Sequence, residues 1–403
     1  SFTVSYTHGG DGTDEPIDNS EKLVENSSIN GMELDIYTRH AVVKSYQKNE
    51  STVTVPENIN GIAVTEIADR AFEENDMLEK IKLPCTLKKI GKQAFLNCFN
   101  IREITIPESV ESIGGWAFDG CISLEEINIS PMVRYMGQNA FIRTKWLENA
   151  KGHAMIGGKL LRGGKGEIPD NVYMICPGAF AYNKEITEII IPDKVKEIGE
   201  GAFSGCVNLR SVTLPQKLKC IEAHMFNGCT SLENISIPEK VCEIEGASFS
   251  ECSSLKEIIL PRWTEHIKAF TFSGCSSLKS VTFPENIITV GREAFKGCGF
   301  EELALPESLG SIDQGAFMEC RQLKSVHAGR KLDFIGIEAF KGCSSLESVS
   351  VDGVNRSGWV NPSKRRVISE RAFLDCVNLS SVNICSDFNL ILKDAFKNTP
   401  VEK

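Results

Sequence analysis

The sequence predicts a solenoid of short coils, each burying its apolar face against its neighbours. Three observations predict it. An Ala-Phe pair ends at Phe72, Phe95, Phe118 and Phe141, resumes at Phe180 and Phe203, and closes at Phe295, Phe317, Phe340, Phe373 and Phe396. Met225, Ser248 and Thr271 replace the alanine before Phe226, Phe249 and Phe272, which makes fourteen copies, most of them 23 residues apart. Second, ten of the fifteen cysteines (Cys98, Cys121, Cys206, Cys229, Cys252, Cys275, Cys298, Cys320, Cys343 and Cys376) lie three residues after a repeat Phe. Third, the copies continue into Leu-x-x-Ile-x-Ile, as at Leu124, Ile127 and Ile129, and the closing period of two marks a half-buried strand. Without the period, 403 residues would suggest two or three globular domains.

Residues 1–30 read differently. Phe2-Thr-Val-Ser-Tyr6 looks like a strand remnant and His8 to Pro16 a polar linker, so this stretch is expected to be a linker or the end of a preceding segment. Residues 31–66 are strand-rich and are expected to cap the solenoid, whose first coil would otherwise expose its apolar cross-section. Residues 67–403 are the solenoid itself. Proline follows the strand at Pro84, Pro107, Pro215, Pro238, Pro261, Pro284 and Pro306, where it ends the ladder without removing a central hydrogen bond. A second extended piece, Val110 to Ile113, is closed by Gly114. Trp116 to Cys121 is too short for a stable α-helix and fits one helical turn stopped at Gly120.

A coil of this length holds two strands and a turn, and its Phe should stack on the next to form a spine. The cysteine position exchanges with Asn75, Thr144, Asn183 and Thr399, which suggests an inward slot where the side chain bonds its own turn. In-register side chains point the same way, so buried free thiols are expected rather than disulfides.

Two inserts break the period. The step from Phe141 to Phe180 is 39 residues and brings an insert near 142–167, with a strand-turn-strand pattern about Gly157-Gly158. The step from Phe340 to Phe373 is 33, and the insert near 352–366 is irregular and basic.

The motif Ile-Gly-x-x-Ala-Phe-x-x-Cys-x-x-Leu-x-x-Ile-x-Ile-Pro, met at Ile113 to Ile129 and more loosely at Ile198 to Pro215, resembles the BspA-type leucine-rich repeat family over about residues 31–399. The resemblance implies an α/β-type leucine-rich repeat solenoid, mainly short β-strands with single helical turns, in about 14 repeats forming a curved right-handed superhelix. It also implies a secreted or cell-surface protein of host-associated microbes that adheres to a protein ligand such as a host surface or matrix protein. It brings no catalytic residues. The chain begins at Ser1, so a signal peptide would lie outside it.

The composition narrows the chemistry. Lys plus Arg total 44 against 54 Asp plus Glu, a net charge of -10 that disfavours nucleic acid and acidic membranes as partners. No apolar run reaches the roughly 18 residues of a membrane helix. The six histidines (8, 40, 153, 224, 266 and 327) form no His-Glu-x-x-His, and Gly-x-Ser-x-Gly is absent. Gly157 to Gly166 has the wrong spacing for a phosphate loop and lacks the Ser/Thr that would hold magnesium. Without Cys-x-x-Cys, zinc is not expected. Neither catalytic residues, cofactor nor metal follows from these motifs.

Binding is the better class. The outward row of the long sheet (Lys82, Thr105, Asn128, Ile190, Thr213, Ser236, Ile259, Thr282, Ala304, His327, Ser350, Asn383) is small and β-branched, poor in the Trp, Tyr and Arg of protein hot spots. The inserts supply them: Trp146, Arg162 and Lys165 in the first, Arg356, Trp359, Lys364, Arg365 and Arg366 in the second. These are the candidate contacts for an acidic partner, unless the inserts are decorations whose charges stay solvated. Two functions stand, a protein-binding or adhesion module and a structural spacer or stalk presenting flanking domains.

Overall fold

A computed structural model describes residues 22–130, 133–150, 152–353, 366–385 and 388–402. They fall into two compact units divided between Gly157 and Gly158. Each unit is a β-solenoid whose coils carry two short strands, and the two units together make about 15 turns of ~23 residues.

In the first unit, Glu103–Ile106 pairs in parallel with Glu126–Ile129, Glu103 opposite Glu126 and Ile106 opposite Ile129. The second strand of each coil forms another parallel ladder, Lys89–Ile90, Ser112–Ile113 and Tyr135–Met136. That ladder continues into Ile62–Ile67 and Ala41–Tyr46, and then turns antiparallel through Met32–Tyr37 to Leu23–Ile29. In the second unit the corresponding ladders include Glu302–Ala304, Ser325–Ala328, Ser348–Val351 and Ser381–Ile384. Strand pairs are offset by about one repeat, so residues 23 apart become neighbours. The motif glycine serves this close stacking: a Cβ on Gly114 would lie 2.5 Å from the Lys92 amide nitrogen of the preceding coil.

The expected spine is present in both units. In the first, Phe72, Phe95, Phe118 and Phe141 stack with ring centroids 5.1 Å apart. Tyr46 closes the N-terminal end at 5.4 Å, and Trp146 closes the other edge-on at 5.6 Å. In the second, an unbroken stack runs from Phe180 to Phe396, with centroids 4.9–5.5 Å apart. Gly163 lies over Phe180 so closely that a Cβ there would fall 1.9 Å from the ring.

The segment holding each Phe is not a helical turn, which corrects the sequence expectation. The amides of Trp116, Phe118 and Gly120 donate to the carbonyls of Gln138, Ala140 and Ile142 in the next coil, at 2.9, 2.8 and 3.1 Å. A segment whose alternate amides are committed sideways cannot close i→i−4 bonds. Left-handed residues two before and two after the Phe impose this, Trp116 at φ 54° and Gly120 at φ 74° in this coil. Among the described residues the one α-helix is Lys145–Asn149, capped by the Thr144 hydroxyl accepting from the Leu147 amide.

All fifteen cysteines are free thiols, and the ten repeat cysteines are buried. Their slot is inward as expected, but the bond is not to the coil's own turn. Each repeat thiol donates to the Phe carbonyl of the preceding coil, for example Cys98 to Phe72 at 3.0 Å and Cys206 to Phe180 at 2.9 Å. Thr144 and Thr399 bond their own turns by donating to the Phe141 and Phe396 carbonyls, and Asn183 accepts from the Glu185 and Ile186 amides of its own coil. The thiols thus cross-brace the coils without a covalent bond. Burial pushes Cys98, Cys206 and Cys275 up to about 12 and raises Cys121, Cys229, Cys252, Cys298 and Cys343 as well.

Candidate partner-binding site

The first insert follows Phe141. Trp146 is half-buried by its edge-on packing against Phe141, so only part of the indole is presented to solvent. Much of the insert's positive charge is engaged within the fold. Arg143 makes a two-pronged pair with Asp119 at 2.7 and 2.9 Å, Lys145 pairs with Glu125, and Lys159 is buried with its ammonium over the Tyr173 ring. Arg162 and Lys165 are exposed. The strand-turn-strand reading holds, with strands Ala154–Ile156 and Lys159–Arg162 flanking Gly157 and Gly158, both at positive φ.

In the second insert, Arg356, Trp359, Lys364 and Arg365 lie outside the described residues. Arg366 is described and faces inward, only 7 % exposed. Its Nε donates to Asp333 Oδ1 at 3.1 Å, its Nη1 to the Cys385 sulfur at 3.1 Å, and its Nη2 to the Arg330 carbonyl, while the guanidinium lies over Phe388. Sequence reasoning treated Arg366 as a surface contact; its geometry makes it an internal tie at the end of the insert. A basic run reads the same whether its last member points out or in.

The structure adds residues that the sequence search passed over. Trp263 is 56 % exposed in the turn after Pro261, with the Arg262 guanidinium stacked 4.8 Å from its ring centroid. Four residues earlier on the same chain segment, Ile259 is 68 % exposed at an outward position of its strand, opposite Thr282. Ile190, on the same row, is 73 % exposed. An aromatic and a guanidinium on one scaffold are the residue types that dominate protein hot spots. Arg262 and Trp263 lie in a turn between strands, outside both the sheet row and the inserts. Aligning the turns at the 23-residue period places Trp263 in the column of Lys194, Lys217 and Lys240, where an aromatic stands out.

Among the described residues no helix is long and apolar enough to cross a membrane. No curated protein sequence matches the chain. Several solved structures are similar in fold. A leucine-rich repeat protein from Bacteroides ovatus is 23% identical, over 94% of this chain and 79% of that one, with a TM-score of 0.41. A leucine-rich cell surface protein from Faecalibacterium prausnitzii is 22% identical over 91% of this chain and 97% of its own, with a TM-score of 0.45. The pneumococcal vaccine antigen PcpA is 15% identical over 92% and 99%, with a TM-score of 0.44. The family described as BspA type leucine-rich repeat region matches residues 45–156, 165–265 and 243–358. Those segments span well over half of the sequence, and the chain belongs to the BspA-type leucine-rich repeat family.

Proposed function

We propose that this chain is a non-enzymatic module, displayed at the cell surface or secreted, that binds another protein. The observation that carries the reading is the exposed Arg262–Trp263 stack, on the same chain segment as the exposed Ile259 and held on a scaffold of in-register strands. Such a scaffold fixes a contact surface before binding, which lowers the ordering cost of association. The inserts are proposed as further contacts through Trp146, Arg162, Lys165, Arg356, Trp359, Lys364 and Arg365, whose charges suit an acidic region of the partner. Family membership and the surface-protein names of similar structures support the extracellular setting.

The test is surface plasmon resonance of the whole chain against a panel of purified host surface and matrix proteins. Parent, Arg262→Ala/Trp263→Ala and a 354–365 deletion are compared. The expected result is saturable binding to at least one panel protein, weakened roughly tenfold or more by the double substitution. The deletion should weaken binding further at low salt than at high salt. Binding to no panel protein, or equal binding by all three, would overturn this reading and favour the stalk.

A further inference from the structure

Two columns of outward side chains meet on the second sheet of the second unit. Cys220 lies opposite Glu243, and the Glu245 amide donates to the Ile221 carbonyl at 2.8 Å, which fixes the two coils in register. The Cys220 sulfur and one carboxylate oxygen each from Glu243 and Glu245 all lie within 4.8 Å of one another. Glu222, two residues after Cys220, adds a further carboxylate to the same coil. The repeat does not ask for these residues. The position after the strand's Ile is the motif glycine in many coils, including Gly114, Gly199, Gly291 and Gly336, where an added Cβ would press on the preceding coil. In three successive coils it is instead Glu222, Glu245 and Lys268.

We propose that Cys220, Glu243 and Glu245 form a binding site for a thiophilic divalent cation of the zinc class, with Glu222 on the same coil as the thiol. The donor set decides the class. A thiolate with carboxylates suits zinc or cobalt(II), whereas calcium and magnesium select oxygen alone. Two carboxylates converge on the thiol, a charge arrangement that a bound cation would offset and that the Lys268 ammonium relieves only at Glu245. Binding forms the metal–sulfur bond and releases the thiol proton to water, so affinity rises with pH. Lys268, ion-paired with Glu245, competes for that carboxylate. His266, on the following coil, is turned to Thr289, with its Nδ1 2.8 Å from the hydroxyl oxygen. No local motif reveals the site because its ligands come from coils 23 residues apart.

The probe is cobalt(II), titrated into the whole reduced chain and followed by thiolate-to-cobalt charge-transfer absorption in the near ultraviolet. A saturable band at one cobalt per chain is expected, lost in Cys220→Ser and weakened roughly tenfold or more in Glu243→Gln. Lys268→Ala should bind more tightly than the parent, and the band should form at lower cobalt as pH rises. Cys85→Ser controls for the exposed thiol that bonds Glu57, and should leave the band intact. Circular dichroism confirms that each variant is folded; Glu243 is exposed, so Glu243→Gln serves if Cys220→Ser is not. No band in the parent, a band in folded Cys220→Ser, an unaltered band in Glu243→Gln, or its loss in Cys85→Ser would overturn the site.

Discussion

Phe226→Ala examines the spine at its interior. Phe226 is fully buried between Phe203, 5.5 Å away centroid to centroid, and Phe249, 5.4 Å away. Truncating a buried Phe costs about 3–5 kcal/mol when its surroundings cannot collapse into the space. Here they cannot readily collapse, because the Phe226 amide is tied to the Ser248 carbonyl and the Phe203 amide to the Met225 carbonyl. Two stacked partners are lost at once, each contributing about 0.5–1.5 kcal/mol, so a loss of about 4 kcal/mol is expected. Phe396 is half-buried and stacks on Phe373 alone, at 5.1 Å, and its removal should cost about 2 kcal/mol. Urea unfolding by far-ultraviolet circular dichroism gives both values. Repeat arrays can melt in parts, so hydrogen exchange at the amides around Phe226 should localise the larger loss. Equal losses for the two variants, or a larger one at Phe396, would refute the stacking argument.

Other perturbations address the backbone, the buried arginine and the thiols. Gly297 has φ 69° with nothing within 4 Å of an added Cβ, so Gly297→Ala should cost only the left-handed strain, about 1 kcal/mol in urea. Gly114→Ala meets the neighbouring backbone and should cost about 3 kcal/mol; a smaller loss than at Gly297 would contradict the close-approach account. Arg366→Ala removes the buried guanidinium's ties to Asp333, the Arg330 carbonyl and Cys385 and should cost about 3 kcal/mol, with faster exchange at Leu390, whose amide donates to the Arg366 carbonyl; an unchanged urea midpoint would refute the internal tie. The buried thiols hold their protons more tightly folded than unfolded. Their stabilisation is therefore complete below the ordinary thiol value of about 8.5 and is lost as pH rises through the folded values near 12. The unfolding free energy from urea titration should fall steeply above about pH 8.5, by up to about 1.4 kcal/mol per thiol per pH unit, and a flat profile to pH 10 would contradict this.

The spine, the paired strands and the inward thiols were legible because the period fixes which residues recur, and recurrence fixes which face is buried. The twin left-handed positions were not. Arg70, Gln93, Trp116 and Ala247 occupy one of them, so side-chain identity does not announce a backbone set by cross-coil hydrogen bonds. The cysteine partner was misjudged by one coil, because a carbonyl 26 residues back is nearer than any reading along the chain suggests. The candidate surface was legible in part. The inserts stood out by breaking the period, but burial of Arg366 and the engagement of Arg143 and Lys145 depend on partners that only folding brings alongside. Cys220, Glu243 and Glu245 escaped for the same reason: a site assembled by register leaves no local motif.

Thiol titration most directly tests whether the coils stack in register around a sealed thiol ladder. The chain, prepared without reductant under inert gas, is reacted with a disulfide reagent in buffer and again in denaturant. Fifteen thiols should react after unfolding, while in the native protein the exposed Cys85 and Cys242 react fast and the ten buried repeat cysteines only at the rate of unfolding. Fewer than fifteen in denaturant would mean that the ladder is cross-linked, and rapid native reaction of the repeat cysteines would mean that the coils do not close over them.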